Sequence, residues 1–289
     1  MGLTVRHHAS VDEFLAFAGE FLAAREAENN LLFGISSFVR SNPELLIEGP
    51  PRFATVIEGD ARVVAASLRT PPHNQVLSWI DDLEAVDVLV DAVRDEPLPG
   101  VVGPTQPAAR FAASWTEATG RPALLEVAER TFRLAKVTPP DRPARGSWRF
   151  VDARDRNLIA DWLVAFSSEA MPEAPPIPDP EAAAARWIAQ VGRIGYVWED
   201  GDAVVSLVGA GGETPHGIRI GPVYTPPELR GRGYASSLTA AASQDQLDRG
   251  RRFVFLFTDL ANATSNKIYQ AIGYEPVCDI DQYRFGADA

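Results

Sequence analysis

The apolar and polar residues in the second half of the chain alternate with two different periods. Segments with a period of two are typical of half-buried strands, and apolar residues that recur every three or four positions are typical of amphipathic helices. The pattern predicts strands at 148–151, 194–199, 203–210, 218–223, 252–257 and 276–284, and helices at 156–169, 181–190, 233–248 and 263–271. We therefore expect an α/β (α+β) fold, in which helices flank a mixed, mostly antiparallel sheet.

The first half of the chain shows the same order of patterns as the second. In each half a short strand leads into an amphipathic helix, and a Gly-Asp pair that begins at Gly59 or Gly201 separates two β-rich runs, as in a β-hairpin. An Ala-rich helical stretch at Phe111 aligns with another at Tyr234, which leaves residues 81–96 as an additional acidic helix. The two halves are predicted to be structural repeats.

A proline-rich segment separates these halves. Residues 138–146 contain three prolines and one glycine, and neither a helix nor a paired strand continues through such a composition. The segment is predicted to link an N-terminal domain of residues 1–137 to a C-terminal domain of residues 147–289. A second proline-rich stretch, residues 171–180, is predicted to be a loop.

Composition narrows the classes of function. The chain has 289 residues, of which 46% are hydrophobic, and its net charge is −12. Nucleic-acid binders need a basic face, and a membrane span needs roughly 18 consecutive apolar residues, which are absent from the sequence. Cys278 is the only cysteine, and the four histidines are too scattered for a metal site. We expect a cytoplasmic protein without a metal, and without a nucleic-acid or membrane partner.

The segment from Ile220 to Ala235 carries the clearest chemical signal. A predicted strand is followed by a turn with two prolines, and then by Gly231 and Gly233 at the start of a helix. Glycines allow a phosphate to approach the backbone closely, and the amides of a helix N-terminus point at such an anion. Between residues 219 and 252 the charge is 6 − 3 = +3, so we expect one cationic patch at the glycine turn. The count rests on six arginines and three acidic residues (Arg219, Arg230, Arg232, Arg249, Arg251, Arg252; Glu228, Asp245, Asp248).

Two common phosphate-binding motifs do not fit this segment. A dinucleotide-binding GxGxxG motif would need a glycine where Ser236 stands, and a nucleoside-triphosphate loop would need a Gly-Lys pair. The run Arg230-x-x-Gly233-x-Ala235 instead resembles the acyl-CoA pyrophosphate signature of the GNAT superfamily of acyl-CoA-dependent N-acetyltransferases. About 30 residues later, the spacing of Asn262, Tyr269 and Gly273-Tyr274 resembles the second common motif of the same superfamily.

The resemblance implies two GNAT-like domains and an acetyl group transferred from acetyl-CoA directly to a primary amine of a small molecule or peptide. It implies that Tyr269 is the general acid that protonates the leaving thiolate. It also implies that the strand end from Val223 to Thr225 pairs with pantetheine, and that backbone amides near Val223 polarise the thioester carbonyl. The turn and helix start from Arg230 to Ala235 would hold the pyrophosphate. The implied acetyl-CoA-binding residues are Val223, Tyr224, Thr225, Arg230, Gly231, Arg232, Gly233, Tyr234, Ala235 and Asn262.

The sequence does not identify the base that would take a proton from the amine. Four carboxylates have a suitable chemical type, and none is preferred (Glu169, Glu199, Glu213, Asp259). In the first half, Pro107 and Arg110 stand where the alignment places Arg230 and Gly233. Proline donates no N–H, and an arginine side chain obstructs a close backbone approach, so this half is predicted not to bind acyl-CoA in the same mode.

Other interpretations of these residues stay open. The chain is alternatively a non-catalytic acyl-CoA sensor or regulatory module, or a scaffold that binds no cofactor. Tyr269 fits the core of a helix face as well as a catalytic role, and Asn262 fits a helix cap as well as a cofactor contact. The arginines at 249, 251 and 252 are typical of a solvated helix end. A monomer and a homodimer are both compatible with the sequence.

Overall fold

The computed structural model describes residues 2–46, 49–170 and 176–286. Its strands are β1 (Leu3–His8), β2 (Arg52–Glu58), β3 (Arg62–Arg69), β4 (Gln75–Leu77), β5 (Gly100–Pro104), β6 (Ala123–Leu134), β7 (Ser147–Phe150), β8 (Arg193–Asp200), β9 (Ala203–Gly211), β10 (Gly217–Tyr224), β11 (Phe253–Asp259) and β12 (Glu275–Phe285). Its helices are α1 (Val11–Ala23), α2 (Asn30–Ser41), α3 (Glu84–Val93), α4 (Thr105–Thr119), α5 (Arg156–Ala170), α6 (Pro180–Ile188), α7 (Tyr234–Asp248) and α8 (Ala263–Ile272).

These elements confirm the predicted α/β fold with its mostly antiparallel pairing. Each element predicted for the second half is present, with ends that differ by one or two residues. Both predicted hairpins form, with Gly59 and Gly201 at φ values of 62° and 64° in their turns. The loop predicted at 171–180 lies partly outside the described residues, and α6 begins at its last position. No helix in the described ranges is both long and apolar enough to cross a membrane.

Contacts group the chain into two compact units. Unit 1 comprises Met1–Phe132, Phe257–Ala263 and Pro276–Ala289, and unit 2 comprises Arg133–Leu256 and Thr264–Glu275. Such grouping measures contacts and does not measure independent folding. The division into domains of residues 1–137 and 147–289 therefore stays a prediction.

Unit 1 contains a sheet with the strand order β1-β2-β3-β4-β5-β12-β6. Neighbours from β1 to β4 are antiparallel, β4 and β5 are parallel, and β12 is antiparallel to β5. Alternating residues of the strands point to opposite faces. Phe53 packs with α1 and α2 on one face, and its neighbour Ala54 packs with α3 and α4 on the other.

Unit 2 contains a sheet with the strand order β11-β10-β9-β8-β7. Strands β7 to β10 are antiparallel neighbours, and β10 is parallel to β11. Val197 and Leu207 pack against α5 and α6 on one face. On the other face, the hydroxyl of Tyr196 bonds to Asp245 and Gln246 of α7 at 2.7 and 2.6 Å.

The strand order shows how the two units correspond. Each begins with four antiparallel strands, and the fourth pairs in parallel with the fifth. Strand β4 is therefore equivalent to β10, α3 to α7, and α4 to α8. The alignment of Phe111 with Tyr234 is wrong, because it joins α4 to α7 on shared alanine-rich composition. Residues 81–96 are not an additional helix, since they contain α3, the counterpart of α7.

Candidate active site

The loop between β10 and α7 forms an open turn with left-handed glycines. A short 3-10 helix spans Pro227–Leu229, and Gly231 and Gly233 have φ values of 77° and 82°, which only glycine adopts readily. A Cβ added to Gly233 would find its nearest neighbours at 3.8 Å, so the space at this position is open. Gly233 is also the N-cap of α7, and it offers no side chain to the first amides of the helix. These amides are suited to an anion.

The second half of strand β10 is paired on only one side. Its pairing with β11 covers Gly217 to Arg219, whereas its pairing with β9 continues to Tyr224. The register with β9 shifts between Ile220 and Val223. The second half of β10 therefore presents backbone to an extended ligand on the β11 side, and it leads directly to the glycine turn.

The two residues at the end of β10 are buried and fixed by hydrogen bonds. The hydroxyls of Thr225 and Ser206 lie 2.9 Å apart, and that of Ser206 donates to the carbonyl of Tyr224 at 3.1 Å. The Tyr224 hydroxyl donates to Glu169 at 3.0 Å, and its ring lies 5.8 Å from that of Trp162. Helix α5 therefore holds the strand end in place.

Arg230 also contacts Glu169. Its Nη2 lies 2.5 Å from Glu169 Oε2, and its Nε donates to the carbonyl of Thr225 at 2.9 Å. The Arg230 guanidinium is the main cause that lowers the pKa of the Glu169 carboxyl. The arginine of the predicted signature is thus placed at the turn, but its charge is already balanced.

The remaining residues of the turn have different partners. Arg232 is exposed and donates to the backbone carbonyl of Glu228 at 3.2 Å. The hydroxyl of Tyr234 donates to Asp200 at 2.6 Å, which ties the start of α7 to the β8–β9 hairpin. The predicted linker lies alongside, since the amide of Ala144 donates to Ser237 Oγ at 2.8 Å.

Tyr269 lies on α8 and is 9% exposed. Burial raises the pKa of its hydroxyl to about 12. Its ring packs edge-on against Tyr274, whose hydroxyl bonds to Ser243 of α7 at 2.7 Å. Within the described part of the chain, the Tyr269 hydroxyl makes no hydrogen bond.

The predicted site residue Asn262 is not grouped with the others. It precedes α8 in the segment Phe257–Ala263, which belongs to unit 1, and its amide donates to the carbonyl of Asp259 at 3.0 Å. The residues that unit 2 brings onto one strand, turn and helix start are Val223, Tyr224, Thr225, Arg230, Gly231, Arg232, Gly233, Tyr234 and Ala235.

The carboxylates considered as bases are all engaged. Besides Glu169, Glu199 accepts from Arg149 at 2.8 Å, and Glu213 forms an ion pair with Arg251. Asp259 accepts from the amide of Ala261 at 2.7 Å, as in a turn. None of these geometries marks a free base.

The arginines do not form one patch at the glycine turn. Arg249, Arg251 and Arg252 follow the C-terminus of α7, and a helix of 15 residues separates them from the turn by about 22 Å. Arg249 pairs with Asp245 at 2.7 Å, and Arg252 stacks on Phe253 at 5.3 Å. The expectation of a single patch is wrong, and the three arginines are a helix end.

The counterpart of the glycine turn in unit 1 is the segment 78–83, between β4 and α3. It has no glycine, and two of its residues are acidic, Asp81 and Asp82. The amide of Trp79 donates to Asn29 at 2.8 Å, and the amide of Glu84 donates to Asp82 at 3.0 Å. These donors are satisfied by protein groups, and the acidic side chains repel an anion.

Pro107 and Arg110 are therefore not the equivalents of the signature residues. Both lie inside α4, which starts at Thr105 directly after β5. Arg110 makes two hydrogen bonds to Asp87, of 2.8 and 2.5 Å. An alignment of the two halves by the order of their strands places the acidic helix after the fourth strand. That alignment would have identified segment 78–83 as the counterpart of the glycine turn.

Comparison with known proteins agrees with this description. The family model for FR47-like proteins matches residues 201–284. No curated protein matches the chain in sequence. An X-ray structure of a Drosophila protein matches with a TM-score of 0.66 at 16% identity, and 99% of each chain is covered.

Two further solved structures carry a functional description. A GCN5-related N-acetyltransferase from Sphaerobacter thermophilus has a TM-score of 0.58 at 18% identity, over 99% of this chain and 98% of that one. A tandem GNAT protein from the clavulanic acid biosynthesis pathway has a TM-score of 0.57 at 15% identity, over 100% of this chain and 99% of that one. The resemblance to the GNAT superfamily is confirmed at the level of the fold, which the chain shares with a tandem GNAT protein.

Proposed function

We propose that this chain, which has the tandem GNAT acetyltransferase fold, transfers an acetyl group from acetyl-CoA to a primary amine. The observation that carries the proposal is the unpaired side of β10 between Ile220 and Tyr224, which continues into the uncapped glycine turn before α7. An extended pantetheine fits the first feature, and a diphosphate fits the second.

The cofactor contacts follow from these features. The backbone from Val223 to Thr225 pairs with pantetheine, and the segment from Arg230 to Ala235 holds the diphosphate. Among the described residues no carboxylate pairs with the exposed Arg232, whereas Arg230 must exchange Glu169 for the diphosphate. The contact of Asn262 with the cofactor stays an expectation from the sequence, because Asn262 belongs to unit 1.

In the reaction, the amine nitrogen attacks the thioester carbonyl carbon, and the carbonyl oxygen takes on negative charge. Backbone amides near Val223 stabilise this charge. The carbon–sulfur bond then breaks, and Tyr269 gives its proton to the thiolate. A pKa of about 12 keeps this tyrosine protonated throughout the neutral range, so it can act as the acid. The base stays unassigned, because each candidate carboxylate is already engaged.

Unit 1 has a different part in this proposal. Its segment 78–83 has two acidic residues and no glycine and is unsuited to a diphosphate, so only unit 2 binds acyl-CoA in this proposal. An amine acceptor, either a small molecule or a peptide, and a cytoplasmic location belong to the same proposal. The net charge of −12 favours the approach of cationic acceptors.

Calorimetric titration of the purified protein with acetyl-CoA, ATP and NAD tests the cofactor. We expect binding of acetyl-CoA alone. The double variant Arg230→Ala, Gly233→Asp should abolish it, because a cation is lost and an anion is added at the turn. Unchanged affinity in the double variant, with the fold retained by circular dichroism, contradicts the assigned site.

A further inference from the structure

Arg193, the first residue of β8, has a side chain that crosses the neighbouring strand. It lies on the face that packs against α5 and α6, where Gly209 of β9 leaves room for it. A Cβ added to Gly209 would lie 3.0 Å from the Cδ and Nη1 of Arg193, and 2.8 Å from the ring of Trp187. The arginine therefore passes directly over this glycine toward β10, and no larger residue fits beneath it.

The guanidinium of Arg193 ends on the irregular part of β10. It stacks on the Trp187 ring at 5.3 Å, and its Nη1 donates to the carbonyl oxygen of Gly221. Gly221 lies inside the register shift between Ile220 and Val223, where regular pairing with β9 is interrupted. Arg193 thus donates to the carbonyl of Gly221, which the interrupted pairing with β9 does not include and which lies two residues before Val223.

The charge of Arg193 exceeds what this hydrogen bond requires, because any neutral donor would satisfy a carbonyl. No carboxylate pairs with Arg193 within the described residues. Burial, and then the nearby charge of Arg219, lower the pKa of Arg193 to about 10, so the group remains charged at neutral pH. A partly buried cation without a counter-ion among the described residues is costly, and such groups cluster at functional sites.

We propose that Arg193 is a positioning residue for acetyl transfer: it holds Gly221, and hence the backbone at Val223, in the orientation that receives the acetyl carbonyl oxygen. Its positive charge adds to the field that stabilises this oxygen as the amine attacks. The inference rests on the proposed function, since it assumes that the thioester lies against this part of β10.

The test is isotope-edited infrared spectroscopy of acetyl-CoA with ¹³C at the thioester carbonyl, bound to the full-length protein. In the wild type we expect the carbonyl stretch to shift to lower frequency relative to free acetyl-CoA, because the bond is polarised. In Arg193→Met the shift should be largely lost, and in Arg193→Lys, which keeps the charge, it should be partly retained. Affinity for CoA itself, measured by calorimetry, should change less than about twofold, because the glycine turn is intact.

Arg186→Met is the matched control, because it removes the same charge from the neighbouring helix α6 and should keep the full shift. An unchanged shift in Arg193→Met overturns the inference alone. Failure of the wild type to bind acetyl-CoA overturns the proposed function and the inference with it. Should Arg193→Met not fold, Arg193→Gln replaces it as the uncharged variant. A carbonyl shift in Arg193→Lys that equals the shift in Arg193→Gln contradicts a role for the charge, and a larger shift in Arg193→Lys supports it.

Discussion

At the glycine turn, Arg230 has two potential anionic partners. In the structure the carboxylate of Glu169 pairs with the Arg230 guanidinium at 2.5 Å, and the proposed diphosphate would replace this carboxylate. Both side chains are more than two-fifths exposed, so the ion pair is weak, in the range of about 0–1 kcal/mol. If acetyl-CoA binds as proposed, the carboxylate should therefore lower its affinity without preventing binding.

Replacing Glu169 with Gln should raise the affinity for acetyl-CoA by up to about fivefold, which corresponds to about 1 kcal/mol. The physical reason is that Arg230 no longer exchanges one anion for another. Calorimetric titration measures the change. Glu228→Gln is the control, because it removes an equal charge from the same turn without breaking an ion pair to Arg230. Equal effects of both changes would indicate a general charge effect.

Tyr269→Phe should leave acetyl-CoA binding intact and lower turnover by about 10²-fold or more, as expected for the loss of a general acid. Burial raises the pKa of Tyr269 to about 12, so the tyrosine keeps its proton up to pH 10. Loss of this proton should therefore not reduce the wild-type rate at any pH up to 10. Rates of CoA release between pH 6 and 10 check both statements. Full activity in the variant would leave Tyr269 as a core residue and favour another acid.

At the scale of elements, local sequence signals predicted the strand and turn of the candidate site, but they did not predict the long-range contacts of these elements. The strand, the two glycines and the start of α7 were predictable, because turn chemistry and periodicity act over a few residues. The pairing of Glu169 with Arg230 spans 61 positions, and that of Arg193 with Gly221 spans 28, and neither leaves a pattern in the sequence. The parallel pairing of β4 with β5 covers only two residue pairs, and it was missed for the same reason.

A glycine in the left-handed turn and a glycine inside a helix should respond in opposite ways to substitution by alanine. Gly233→Ala should destabilise the fold by about 1–2 kcal/mol, because a Cβ at a φ of 82° is strained even where the space is open. Gly19→Ala in the middle of α1 should stabilise it by about 0.5–1 kcal/mol, because alanine restricts the unfolded chain and no atom lies within 4 Å. Urea denaturation measures both changes, and the same sign for both would contradict this account.

At the scale of the whole molecule, the last strand of the chain is part of unit 1. Strand β12 lies between β5 and β6, with Ile280 opposite Pro104 and Arg284 opposite Gly100. The linear division predicted from the proline-rich segment 138–146 assigns this strand to the second domain. Sequence patterns identify a strand, but they do not identify the partner with which it pairs.

A chain that ends at Tyr274 should therefore lose structure in unit 1. Without β12, the facing edges of β5 and β6 are left unpaired in the middle of a sheet. We expect hydrogen exchange of the β5 amides to increase at least tenfold, whereas a chain that ends at Gly286 should retain the protection of the full protein. A fragment of residues 1–137 lacks the same strand and should not fold alone. Native-like protection in that fragment would support the linear division.

The position of β12 also orders the events of protein synthesis. A ribosome makes residues 1–132 of unit 1 well before it reaches residue 276, and a further delay follows while β12 passes through the exit tunnel. During this interval the nascent chain exposes the unpaired edges of β5 and β6, which are sites at which chaperones or other chains can bind. Residues 1–132 are thus synthesised well before the strand that completes their sheet.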